Sequence, residues 1–232
     1  MQSNVHILCT RPIGKSLLQV AKGQNIIIDE LSFIETMPFK TIAVQQKIEQ
    51  AALQQTTVIF TSMNAVEAVA HFIDYQPAGW SIYCIGTTTH ELVTKYFGAS
   101  SIAGTANSAA ELAYLITKDR KITEAIFFCG NQSRDELPKI LKSYNIKVKE
   151  IIVYETIAVT HTITKAYDGM LFFSPSAVIS FFATNKLPPT TLLFAIGSTT
   201  AGELKKYSTN KIIVNGVPGK ENLVNKMIGY FR

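Results

Sequence analysis

The sequence predicts an α/β chain of two similar domains, each a parallel sheet flanked by helices, joined by two connecting strands with a cleft between them. One observation is an internal repeat. Ile7–Thr36 lies over Phe127–Thr156 without a gap at an offset of 120, so that Cys9 meets Cys129, Asn25 meets Asn145 and Glu35-Thr36 meets Glu155-Thr156. FTSMNAV from Phe60 matches FFSPSAV from Phe172 at an offset of 112, and IGTTT from Ile85 matches IGSTT from Ile196 at 111. A second observation is the alternation of short apolar runs with amphipathic stretches, the mark of parallel strands covered on both faces. A third is length: 232 residues accommodate two units of roughly 110. Similar units facing one another make a cleft, where ligands tend to bind.

In chain order, strands are expected at Val5–Thr10, Ile26–Ile34, Val58–Thr61, Ser81–Ile85, Ala125–Cys129, Val148–Tyr154, Gly169–Phe173, Thr191–Ile196 and Lys211–Val214. Each is rich in Val, Ile, Phe or Leu. Helical spacing of apolar residues marks Ile42–Gln54, Ala65–Phe72, Thr88–Phe97, Ala109–Ile116, Arg134–Tyr144, Ala177–Phe182, Ala201–Tyr207 and Glu221–Tyr230. Hydroxyl or amide residues stand at the helix starts: Ser62 and Asn64, Thr87, Ser108, Ser133, Ser174 and Ser176, and Ser198. Ser108 opens SAAE, a capping-box pattern with Glu111.

The repeat alone leaves the domain boundaries open. Two contiguous units would occupy about 1–118 and 125–232. Alternatively, the segments ending in SFIET and IVYET cross from one unit to the other. A helix pattern follows Thr36, whereas IAVTHTITKAYD follows Thr156, and this unequal aftermath favours connectors.

Composition excludes several classes. With 47% hydrophobic and 17% charged residues the chain is globular. No apolar run approaches the roughly 18–20 residues of a membrane span. MQSNVHILCTRP begins a strand almost at once without signal-peptide features, so a cytoplasmic protein is expected. Cys9, Cys84 and Cys129 sit singly in apolar strands and are read as buried thiols, and His6, His71, His90 and His161 form no metal-ligand spacing. The 22 basic residues include only four arginines and are spread along the chain, which argues against a nucleic-acid partner. A modest positive field suits a small polyanionic ligand.

In open parallel sheets ligands bind beyond the carboxyl ends of the strands, where the TS and GxxT turns fall. Gly86 and Gly197 permit tight turns and close backbone approach. Gly130 and Asn131 end the strand Ala125–Cys129, and Arg11, which meets Asn131 in the repeat, follows the first strand. These residues serve equally as helix caps, turn residues or, for Arg11, a surface ion-pair partner.

In this order and spacing, TRP (Thr10–Pro12), IFTSMNAVEAV, IGTTTHELV, FFCGNQSRDELPKIL, VYET, FFSPSAVISFF and AIGSTTAGEL resemble the uroporphyrinogen-III synthase family over nearly the whole chain. The resemblance implies residues 1–35 and 157–232 as domain one and 36–156 as an inserted domain two. It implies cofactor-free cyclisation of hydroxymethylbilane, which loses its hydroxyl and inverts ring D through a spiro intermediate, in tetrapyrrole (haem) biosynthesis. The substrate is a polycarboxylate; a monomer is expected, with the preceding pathway enzyme as a transient contact and neither nucleic acid nor membrane as partner. Tyr154, which meets Ile34 in the repeat, takes the place of the family's candidate proton donor. Arg11, Ser62, Asn64, Gly86, Thr89, Gly130, Asn131, Ser174, Ser176, Gly197 and Thr200 become the candidate substrate-binding residues. Asn64 departs from members that carry arginine there.

Two other readings stay open at this point. A nucleotide-dependent α/β enzyme lacks support because neither GxGxxG nor GxxxxGKS follows a strand. A cytoplasmic two-domain binding protein for an anionic small molecule, without catalysis, fits the same cleft.

Overall fold

Strand β1 (Val5–Cys9), helix α1 (Lys15–Lys22) and strand β2 (Ile26–Glu30) open the chain, followed by β3 (Ile34–Pro38) and α2 (Ile42–Ala52). Next come β4 (Thr56–Phe60), α3 (Met63–Ala70), β5 (Trp80–Ile85), α4 (Thr87–Phe97), β6 (Ile102–Ala106), α5 (Ala109–Thr117), β7 (Glu124–Gly130) and α6 (Glu136–Ser143). The long β8 (Lys147–Ala158) leads into β9 (Gly169–Phe172), α7 (Pro175–Thr184), β10 (Leu192–Ala195), α8 (Ser198–Leu204), β11 (Ile212–Val214) and α9 (Lys220–Tyr230). The structure, a computed structural model, describes residues 4–73, 75–217 and 219–232. Among these, no helix is long and apolar enough to cross a membrane.

The chain divides into two compact units, Met1–Glu35 with Ile157–Arg232, and Thr36–Thr156. The first carries a sheet in the order β11-β10-β9-β1-β2, the second β3-β8-β7-β4-β5-β6. Apart from β3, which lies beside β8, the two orders are the same: β2-β1-β9-β10-β11 corresponds to β8-β7-β4-β5-β6, and all of these neighbours pair in parallel. The repeat therefore changes offset for a topological reason. The strand pair shared at offset 120 comes first in one unit and last in the other.

Burial explains the layering. In the first unit Leu17 of α1 and Leu223, Val224 and Met227 of α9 pack with Ile7 and Cys9 on one face of the sheet. Leu8, Met170 and Phe172 point to the other face, against α7 and α8. In the second, α2, α3 and α4 cover one face around Phe60, Phe128 and Trp80, while α5 and α6 cover the other around Ile59 and Phe127. Phe60 stacks on Phe97 and Phe128, and Trp80 Nε1 donates to Ala51 O at 2.9 Å, so the largest buried ring has its polar atom satisfied. Each such side chain contributes about 1.5–3 kcal/mol by leaving water.

The expected strand Ile26–Ile34 is two strands in different sheets. Leu31 N–H makes the last bond to Cys9 O (3.0 Å), and Phe33 then turns inward and is fully buried. Its ring meets those of His161 and Phe181 edge to face. Strand β6 (IAGTA) escapes a reading by apolar runs because it has a single large apolar residue. Helix α1 escapes because Gly14, at φ 99°, opens it with no side-chain cap. Ser62, Ser108 and Ser174 do cap their helices, and Glu111 reaches back to accept from Asn107 N, one residue before the cap, in place of the Ser108 N–H that a capping box would use. Thr41, not anticipated, caps α2, whereas the start expected at Ser133 falls at Glu136, after Asp135.

Candidate active site

In a doubly wound sheet, ligands favour the point where neighbouring strands send their helices to opposite faces. In the first unit this point lies between β1 and β9, since α1 and α7 cover opposite faces. Arg11 follows β1 there, and its guanidinium lies 5.7 Å from the centroid of the Phe173 ring, just before Ser174. Arg11 is exposed, and among the described residues no carboxylate lies within ion-pair distance of it. Among the described residues the surface ion pair that the sequence left open is not formed. Ser174 Oγ accepts from Ala177 N at 3.2 Å, and Ser176 lies in the same first turn of α7.

In the second unit the switch point lies between β7 and β4, whose helices α6 and α3 cover opposite faces. Here Gly130-Asn131, Ser62-Met63-Asn64 and Tyr154 come together. The register of β7 on β8 slips by one residue, with Cys129 opposite Ile152 but Gly130 opposite Tyr154. A pleated strand puts neighbours on opposite faces; this bulge lets Tyr154 pack against the same α2–α4 core as buried Val153. The phenol thereby reaches the start of α3, where its O–H donates to Ser62 Oγ at 3.1 Å. Ser62 Oγ also accepts from Asn64 N at 3.2 Å, so the hydroxyl pair sits at the electropositive end of the helix. Tyr154 and Asn64 line a pocket of about 200 Å³ with Thr36, Lys40, Glu67 and His71.

The GxxT turns follow the next strand in each unit. Gly86, at φ 74°, adopts backbone that only glycine takes readily, and a pocket of about 340 Å³ opens beside it, lined also by Thr87, His90, Thr105 and Asn107. Gly197 is different: at φ −168° its backbone is extended and would suit any residue, which removes the conformational reason offered for it. Its face is open, with nothing within 4 Å of where a Cβ would stand. Thr89 and Thr200, three residues on, are buried at 6% and 3% exposure.

These turns are arranged as two matched sets, and a sequence model described as uroporphyrinogen-III synthase HemD matches residues 16–225. The chain belongs to the uroporphyrinogen-III synthase family. A Schizosaccharomyces pombe uroporphyrinogen-III synthase is 29% identical over 126 residues, 50% of this chain and 47% of that protein, so the match spans about half the length of the relative. Two crystal structures share the fold of uroporphyrinogen III synthases. A mutant enzyme from Thermus thermophilus gives a TM-score of 0.67 at 13% identity over 97% of both chains. The Helicobacter pylori 26695 protein gives 0.68 at 16% identity over 97% of this chain and 99% of that one.

For this uroporphyrinogen-III synthase family member, the structure groups Ser62, Asn64, Gly130, Asn131 and Tyr154 at one switch point and Arg11, Ser174 and Ser176 at the other. Gly86 with Thr89, and Gly197 with Thr200, stand one strand further out. Lys40 and His71 were missed beside Tyr154, because nothing in sequence links a residue after β3 and one ending α3 to β8. The three thiols lie buried in the strands that lead to these turns, and burial pushes Cys9 up to about 12, Cys84 to about 11 and Cys129 in the same direction. Among the described residues, no three His, Cys, Asp or Glu side chains gather as a metal site.

Proposed function

We propose that this chain is a uroporphyrinogen-III synthase, closing linear hydroxymethylbilane with loss of water and inversion of ring D, without a cofactor. The observation that carries the reading is the family match over residues 16–225. The chemistry of the two switch points supports it. The substrate is a polycarboxylate, and hydrogen bonds to charged groups contribute about 1.5–3 kcal/mol each, so several modest donors suffice. Arg11, Ser174, Ser176, Gly197 and Thr200 are the carboxylate partners proposed in the first unit, and Ser62, Asn64, Gly86 and Thr89 in the second. A monomer in the cytoplasm, meeting the preceding pathway enzyme transiently, is part of this proposal.

Tyr154 is the proposed proton donor. The departing hydroxyl of the substrate takes a proton and leaves as water, and the azafulvenium cation that remains is met by an anion, such as a substrate carboxylate. The Tyr154–Ser62 bond supports this role, since Ser62 is a hydroxyl that can exchange a proton with the phenol and is fixed by Asn64 N–H. The test is to supply enzymatically generated hydroxymethylbilane, oxidise the product and separate the uroporphyrin isomers. Isomer III is expected; isomer I alone, the product of spontaneous closure, would return the chain to the class of non-catalytic binding proteins.

A further inference from the structure

Gly130 and Asn131 end β7 at the switch point, where a ligand contact is the simplest reading. Their geometry says otherwise. A Cβ at Gly130 would stand 2.5 Å from Tyr154 Cζ, 2.7 Å from Cε2 and 2.8 Å from the phenol oxygen. Carbon atoms in contact prefer about 3.5–4.0 Å, so the ring can hold this position only above a glycine. The φ of Gly130 is not in the left-handed region, which makes the requirement one of space. Asn131 is engaged twice with the strand that carries the phenol. Its N–H donates to Tyr154 O at 3.1 Å, and its side-chain Oδ1 accepts from Thr156 N at 2.9 Å. Gln132 Nε2 adds a bond to Thr156 O at 3.2 Å.

The internal copy differs at all three positions. At the offset of 120, Tyr154 corresponds to Ile34, Gly130 to Thr10 and Asn131 to Arg11. The unit without the phenol has a full side chain where the glycine stood, and Thr10 Oγ1 is occupied in donating to Leu171 O at 2.8 Å. The copies pair in different registers, Ile7 opposite Ile28 but Phe127 opposite Glu150, and Ile34 lies in β3 of the other sheet, so the seat under the tyrosine belongs to the second unit.

We propose that Gly130 and Asn131 are positioning residues for Tyr154, the glycine making room for the ring and the asparagine clamping the backbone on either side of Glu155, so that the hydroxyl is held on Ser62 Oγ. The proposal rests on the reading of Tyr154 as proton donor. Single-turnover and steady-state kinetics on Gly130→Ala, Asn131→Leu and Asn131→Asp, each with and without Tyr154→Phe, test it. Gly130→Ala and Asn131→Leu are expected to lower kcat about tenfold or more with KM within about twofold. Asn131→Asp, which keeps the acceptor for Thr156 N–H, should restore kcat at saturating substrate. In the Tyr154→Phe background neither substitution should lower kcat further. Equal losses with and without the phenol, or a rise in KM at unchanged kcat, overturn the proposal.

Asn131 is exposed, so its variants carry the test if Gly130→Ala fails to fold. Should Tyr154→Phe itself leave kcat unchanged, the proton-donor reading fails, and the ¹³C resonance of Tyr154 Cζ still decides the positioning. It is expected to shift in Gly130→Ala and Asn131→Leu and to return in Asn131→Asp; an unmoved resonance overturns the proposal.

Discussion

Asn25 and Asn145, 120 residues apart, hold the same left-handed backbone, with φ of 56° and 62°. Each closes the turn between a helix and the following strand, Asn25 N–H donating to Lys22 O at 3.1 Å and Asn145 N–H to Lys142 O at 3.0 Å. Left-handed backbone costs most L-residues about 1–2 kcal/mol, and asparagine and glycine bear it best. Asn25→Ala and Asn145→Ala should each destabilise by about 1 kcal/mol, while the glycine variants should be nearly neutral. Urea unfolding checks this; equal stability of the alanine and glycine variants would show that the turn does not need the left-handed residue.

Tyr154→Phe removes one oxygen and leaves the ring on Gly130. General-acid catalysis is worth about 10²–10⁴-fold, so kcat should fall by about 10² or more with KM almost unchanged. Ser62→Ala should lose about 1 kcal/mol of stability with the α3 cap, and lower kcat less than Tyr154→Phe does. Melting curves beside steady-state kinetics separate the two effects. Unchanged kinetics in Tyr154→Phe would make the tyrosine a packing residue.

Thr200→Val keeps the volume of a buried side chain and deletes its hydroxyl. If that hydroxyl serves a substrate carboxylate, KM should rise about tenfold, from the roughly 1.5 kcal/mol of one charged hydrogen bond, with kcat little changed. Thr89→Val should behave alike in the other unit. A change in melting temperature alone would assign both hydroxyls to the fold.

Burial raises the pKa of all three thiols, to about 12 for Cys9 and about 11 for Cys84. A folded pKa above the unfolded value of about 8.5 means that the stability linked to the neutral thiol is complete below pH 8.5 and declines as pH rises toward 11 and 12. The urea midpoint should fall across this window, less steeply in Cys84→Ala. At pH 8 the native thiols should resist a thiol reagent, and all three should react in denaturant. Rapid reaction of the folded protein would contradict the burial.

Much of this was legible in sequence, because parallel strands buried on both faces leave continuous apolar runs, as in Ala125–Cys129. The repeat also carried the correspondence Cys9 to Cys129 into equivalent central strands. What escaped lacked such a signal. The break after Glu30 is invisible in an apolar run that simply changes sheets, and β6 sits at an edge where IAGTA needs only one large apolar residue. At the site, TS and GxxT turns could be named, but not that Gly130 lies under Tyr154, since that contact depends on a bulge between Cys129 and Gly130. The glycine at 197 was given a conformational reason that its extended backbone does not need.

The most direct measurement is the isomer composition of uroporphyrinogen formed from hydroxymethylbilane by the purified chain, read as oxidised porphyrin against a protein-free control. Isomer III is expected in large excess with the protein and isomer I without it. The same isomer I in both tubes would contradict the synthase reading.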